Sequence, residues 1–166
     1  NNDLPGIYGA GAVQTLMNEY GVKPGNNVLM VGAGNIGLIV SYQLIQSGVN
    51  VKAIIDAAHQ IGGYLVHASK IRRMGIPILT SYTIKYAHGK DAVEKATIWK
   101  IDENWEPIPN TEMDFDKDVI CISVGLSPLA DLLWQIGCKM EYIPELGGHV
   151  PIRDDNLETN ISGIFI

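Results

Sequence analysis

Residues 28–37 carry a short apolar run, Val28-Leu29-Met30-Val31, that meets Gly32, Gly34 and Gly37 at G-x-G-x-x-G spacing. An apolar helical segment follows, then a second apolar run ending in Asp56, nineteen residues after Gly37. Each part has a mechanical role in a strand–turn–helix–strand unit that holds a dinucleotide. Gly32 permits the tight turn out of the strand. Gly34 has no Cβ, so the backbone can approach a pyrophosphate. Gly37 lets the helix pack close to the strand. The helix start, at Asn35 and Ile36, then presents unpaired N–H groups and a partial positive charge to the phosphates. Glycines also cluster in ligand-free βα turns; the acid at the end of the second strand favours the dinucleotide. Ala33 within the turn and Ala57 after the acid join the candidate binding residues.

Composition narrows the function classes. The 166 residues, 46% hydrophobic and 18% charged, suffice for one independent core. A net charge of −6 argues against a nucleic-acid partner. No apolar run reaches a membrane span, and no signal peptide is visible, so a cytoplasmic location is expected. Cys121 and Cys138 lie seventeen apart with no C-x-x-C, which suits two buried thiols better than a redox pair. His59, His67, His88 and His149 are scattered, with no spacing for a metal. No side chain stands out as a catalytic acid, base or nucleophile. The chain begins at Asn1 and ends on the apolar Ile164-Phe165-Ile166 without turn chemistry, so the natural protein is expected to continue.

Along the chain, Leu4-Pro5-Gly6 reads as a turn and residues 8–20 as a helix closed by Gly21 and Pro24. The strand at residues 28–31 is continuously apolar, as a central parallel strand buried on both faces should be. The helix at residues 35–47 carries two apolar stripes, Ile36-Val40-Leu44 and Leu38-Tyr42-Ile45, and no charged residue occurs between Lys23 and Lys52. Two stripes call for cover on two sides, either within this domain or by a further domain or a partner protein. Residues 49–55 form the second strand. Gly62-Gly63 makes a loop, and residues 64–74 a helix with Leu65, Ala68, Ile71 and Met74 inward and Lys70, Arg72 and Arg73 solvated. A third strand starts at Ile76. The βα rhythm then stops. Residues 82–87 and 92–101 alternate around a His88-Gly89-Lys90-Asp91 turn, as an antiparallel hairpin or meander does. Residues 102–116 read as a polar loop, with Trp99 and Trp105 as packing residues. Residues 118–125 return to a buried strand, residues 129–136 form a short helix, and residues 139–143, 150–152 and 164–166 are short strands.

This order predicts a Rossmann-like three-layer α/β fold, a parallel sheet whose crossover is an antiparallel β-meander. The whole chain, residues 1–166, resembles the NAD(P)H-binding domain of the pyridine nucleotide-disulfide oxidoreductases, flavoproteins with two dinucleotide-binding domains. Leu4-Pro5-Gly6-Ile7-Tyr8 is similar to the linker entering from the FAD domain, and Gly32 to Gly37 to the second, NAD-type glycine motif. Ser123-Val124-Gly125 before Pro128 stands where the family has A-T-G before a proline, sharing only the glycine. Residues 159–166 resemble the segment leading into a G-D motif that holds FAD, and the chain stops short of that motif. The Leu-Pro-Gly-Ile-Tyr start and Ile61-Gly62-Gly63 are similar to the group containing the alpha subunits of sarcosine oxidase, the subunits of opine oxidase, and hydrogen cyanide synthase. The missing C-x-x-C speaks against thioredoxin reductase itself.

The resemblance implies an oxidoreductase domain, catalytically incomplete alone, that places nicotinamide for hydride transfer with an FAD lying mostly outside these residues. Its partners would be the dinucleotide, an FAD domain of the same chain and further subunits. Val124 and Gly125 join the site because the family's equivalent glycine passes close to the dinucleotide. Asp56 would accept from a ribose 2′-OH and repel a 2′-phosphate, and no arginine follows it among Ala57, Ala58 and His59, so NAD is expected over NADP. Two other readings are a non-enzymatic NAD-sensing module, which would continue βα units after the third strand, and a structural domain of a larger complex that has lost its nucleotide.

Overall fold

A computed structural model describes residues 3–166, which divide into two compact units, residues 3–124 and residues 125–166. In chain order the first unit contains β1 (Ile7–Gly9), α1 (Ala10–Asn18), β2 (Asn27–Val31), α2 (Asn35–Gln46), β3 (Asn50–Asp56), α3 (Leu65–Arg73), β4 (Ile78–Thr80), β5 (Tyr82–His88), β6 (Lys95–Lys100), β7 (Met113–Asp116) and β8 (Val119–Ile122). The second contains α4 (Asp131–Gln135), β9 (Met140–Ile143) and β10 (Gly148–Pro151).

The first unit is built on a five-stranded sheet in the order β1-β8-β2-β3-β4, with every pair parallel. Strand pleating sends alternate side chains to opposite faces. Val28, Met30, Val119 and Cys121 enter one core with Val13 of α1, Leu38, Val40 and Leu44 of α2, and Ala68 and Ile71 of α3. Leu29 and Ile120 enter a second core with Ala87, Ala96 and Ile98 of the meander β5-β6-β7. Helices cover one face and the meander the other, the expected three layers. On β3 the pairing with β2 slips between Val28 and Leu29, skipping Lys52. That bulge lets Val51 face the helices and Ala53 the meander, which strict alternation forbids. At the start of β2, Asp118 accepts from the N–H groups of Asn26 (2.7 Å) and Asn27 (2.6 Å), tying the entry of β8 to its neighbour.

Both stripes of α2 contribute to the core of this unit. Leu38, Val40 and Leu44 are fully buried, and Tyr42 and Ile45 pack on the same core. Gln14 of α1 donates to Gln43 at 3.0 Å, and Lys70 of α3 lies 4.2 Å over the Tyr42 ring. Of the second stripe, Leu38 is covered within this unit, while Tyr42 and Ile45 are half-buried. Ile36, read as the first member of the other stripe, is 41% exposed at the helix start, so that stripe is buried only from Val40 on.

Several element boundaries differ from expectation. Residues 7–9 are a strand, with Tyr8 opposite Cys121, and the first helix starts later, at Ala10. Three residues are too few to show a period. Residues 113–116, read as loop, form edge strand β7: Phe115 packs inward while Asp114 and Asp116 face outward beside Lys95 and Thr97, opposite-charge pairing that suits an edge. Leu65 (75%) and Met74 (42%) are exposed, leaving Ala68 and Ile71 to bury α3. Trp105 is exposed at a positive φ of 66° and packs no core.

In the second unit, β9 and β10 form an antiparallel hairpin around a turn at Pro144–Leu146. Cys138 donates to the Thr159 hydroxyl at 3.6 Å. Residues 164–166 form no strand; Phe165 makes one bridge to Glu158. Cys121 and Cys138 are both buried free thiols, and burial pushes the Cys121 thiol up to about 12.

Candidate nucleotide site

The carboxyl ends of β2, β3 and β8 converge on the glycine turn. Gly32, at φ 108°, donates to the Ile55 carbonyl of β3 at 2.7 Å, so the turn leaves β2 leaning on its neighbour. A Cβ on Gly32 would meet the Ser123 carbonyl oxygen just past β8, and one on Gly37 would meet the Gly32 carbonyl oxygen. These two glycines are required by packing inside the turn. Gly34 differs: nothing lies within 4 Å of where its Cβ would be, and it caps α2 in an extended conformation without a side-chain cap. The N–H groups of the first helical turn have no intrahelical acceptor, and their dipoles give that end a partial positive charge. Bare backbone, open space and positive potential suit a pyrophosphate.

Asp56 ends β3 beside this turn. One carboxylate oxygen accepts from the Ala33 N–H at 2.6 Å and the other from the Ala58 N–H at 2.8 Å. A carboxylate has about four acceptor positions, so further hydroxyls still find lone pairs there. Ala57 lies between the two contacts, half-buried. Gly32, Ala33, Gly34, Asn35, Ile36, Gly37, Asp56 and Ala57 thus come together at one end of the sheet. Val124 follows β8 and is exposed at 72%. Gly125, the first residue of the second unit, has φ 121° with open space at its Cβ position.

Residues 57–64 contribute contacts that sequence reasoning passed over. The Gly63 N–H donates to the Ala33 carbonyl at 2.9 Å, and the Tyr64 N–H to Asn35 Oδ1 at 2.8 Å. Two consecutive glycines so soon after the acid were the available signal, since such pairs mark close backbone approach. Ser81, at φ 60°, was also missed: its N–H donates to the Ala58 carbonyl at 3.0 Å, and its hydroxyl lies 2.8 Å from His59 Nδ1.

A cleft of about 370 Å³ opens on the meander side of the sheet, lined by Ile7, Val31, Ile120, Ile122 and β5. It is mainly apolar and holds no carboxylate, and the glycine turn lies outside it. Among the described residues, no group of three or more His, Cys, Asp or Glu side chains converges as a metal site would require. Among them, too, no helix is long and apolar enough to cross a membrane.

Comparison with known proteins agrees with the fold. Residues 3–166 match the family model described as pyridine nucleotide-disulphide oxidoreductase. The chain is 24% identical over 168 residues to the alpha subunit of sarcosine oxidase from Corynebacterium sp. (strain P-1), covering 99% of this chain and 17% of that protein. It is 22% identical over 184 residues to a subunit of opine oxidase from Rhizobium meliloti (strain 1021), covering 98% of this chain and 38% of that one. The chain therefore spans well under half the length of these relatives. Among solved structures, thioredoxin reductase of T. acidophilum superposes with a TM-score of 0.70 at 21% identity, covering 97% of this chain and 48% of that one. That likeness is one of fold.

Proposed function

Because the chain belongs to the pyridine nucleotide-disulphide oxidoreductase family, we propose that it binds NAD(H) at the carboxyl edge of its parallel sheet, as the nucleotide domain of an FAD-dependent oxidoreductase. The observation that carries this reading is the turn at residues 32–37, with its outward-open Gly34 and Asp56 one hydrogen bond away. Bound nicotinamide would exchange a hydride with a flavin held by chain outside these residues; that chemistry belongs to the cofactors. The chain's own residues position. The start of α2 would face the pyrophosphate, Asp56 would receive the adenine-ribose hydroxyl, and Val124 would border the dinucleotide. Asp56 favours NAD over NADP because a 2′-phosphate would face its negative charge with no arginine following at Ala57, Ala58 or His59. Substrate recognition would fall to other domains or subunits; the two curated relatives are both named as subunits. A non-enzymatic NAD-sensing module is disfavoured by β5-β6-β7, which stand where such a module continues its βα units.

Titration with NADH and NADPH, followed by nicotinamide fluorescence, tests the reading. NADH is expected to bind about tenfold or more tightly than NADPH. Equal affinities, or tighter NADPH, refute the preference for NAD. Binding of neither refutes the nucleotide role.

A further inference from the structure

A dinucleotide turn rich in glycine has a built-in cost. Gly32, Gly34 and Gly37 fall within six residues, and glycine loses more conformational freedom on ordering than any other residue. Unless something else fixes the turn, that entropy is charged to ligand binding. Here residues 56–64 grip the turn at successive points. Asp56 takes the Ala33 N–H, Gly63 donates to the Ala33 carbonyl, and Tyr64 donates to the Asn35 side chain. Ala33, between the first two glycines, thus has both backbone groups engaged, by the last residue of β3 and by the segment after it. The fit is close: a Cβ on Gly63 would come to 2.5 Å from Leu38 Cδ1, 3.0 Å from the Gly34 carbonyl carbon and 3.1 Å from the Ala33 oxygen. A Cβ there would have to move the Leu38 methyl group and press on the backbone of the turn, which glycine avoids.

We propose that residues 56–64 form a strap that sets the turn in its nucleotide-ready geometry before ligand arrives, with Asn35 and Gly63 as positioning residues. Asn35 acts through its side-chain oxygen, which anchors the end of the strap to the first turn of α2. The strap holds Ala33 by its backbone and leaves the space at the Gly34 Cβ position open, so it orders the turn without filling that approach. The proposal deepens the nucleotide reading and rests on it for its effect on affinity; the strap itself is observable without nucleotide.

The test combines NADH titration with hydrogen exchange on the ligand-free chain. Asn35→Ala removes the acceptor. Tyr64→Pro removes the donor at a residue whose φ, −61°, is already the one proline imposes. Asn35→Asp keeps an acceptor. Expected are a five- to tenfold rise in the NADH Kd for either of the first two variants, about the value of one hydrogen bond, and no further rise in the double variant. Exchange at the Gly63 and Tyr64 amides should quicken about tenfold in Asn35→Ala, stay at the original rate in Asn35→Asp, and leave β2 and β3 unchanged. An unchanged Kd in Asn35→Ala overturns the proposal, as does additive loss in the double variant or deprotection of Tyr64 in Asn35→Asp. If the unaltered chain binds no NADH, the nucleotide reading fails. The strap then stands on quickened exchange at Gly63 and Tyr64 in Asn35→Ala, and falls on unchanged exchange.

Discussion

At the scale of single residues, three glycines two and three positions apart do different work. Gly37 has no room for a Cβ against the Gly32 carbonyl, whereas the space at the Gly34 Cβ position is open. Gly37→Ala should destabilise the protein by about 1–3 kcal/mol, as overpacking of fixed backbone does. Gly34→Ala should melt within about 2–4 °C of the original protein, since its φ of −72° suits alanine and the entropy gain offsets the poorer cap, yet it should bind NADH at least about tenfold more weakly, because the methyl group fills the phosphate approach. Thermal melts set beside NADH titrations check the contrast; a Gly34→Ala chain that binds normally contradicts the assigned role. Lys117 offers a separate test. Burial, reinforced by repulsion from Lys52, pulls its amine from 10.5 down to about 8. Between those values the folded chain has released a proton that the unfolded chain still holds, so stability rises with pH across that window. Lys117→Met should abolish the alkaline rise and, by removing a buried charge, raise the melting temperature at pH 7.

At the scale of elements, α2 and the meander yield predictions of opposite kinds. Ser41 lies in α2 fully buried, and its hydroxyl has no hydrogen-bond partner among the described residues. Ser41→Ala removes an unsatisfied group and improves helix propensity, so it should stabilise by about 1 kcal/mol, or roughly 2–4 °C on melting. A lower melting temperature would show the hydroxyl to be satisfied. In the meander, the Thr97 hydroxyl and then Lys95 hold the Asp114 carboxyl below its ordinary 3.8, and a hydrogen bond from Lys85 holds Glu112 below 4.5. Both contributions are complete above those ordinary values and are lost as pH falls through the lower folded ones. Asp114→Asn should flatten the acid limb of a stability–pH profile measured from pH 5 to 2. Legibility in the sequence followed the same division. The glycine turn, α2, β3 and Asp56 were readable because spacing, length and burial agree there. β1 and β7 were not: one is three residues long, and the other owes its pairing to Lys95 and Thr97, far off in sequence. The strap was half-readable, as a pair of glycines whose target lay nearly thirty residues earlier.

At the scale of the whole molecule, the chain spans 17% of one relative and 38% of another, so its chemistry is proposed for a longer polypeptide. That polypeptide should be yellow when purified, with a flavin absorbance band that NADH bleaches without air. A colourless protein, or a band indifferent to NADH, would remove the flavin from the proposal. Ser81 bears on how such a protein tolerates change in length. It is the single residue between β4 and β5, held at φ 60°, with its N–H on Ala58, its carbonyl accepting from Ile101 and its hydroxyl on His59. One residue thus joins the parallel sheet to the meander and the loop after Asp56, and an insertion there would misregister all three. Homologues should therefore vary freely in length around the exposed Glu103 and Asn104, and keep this corner at one residue.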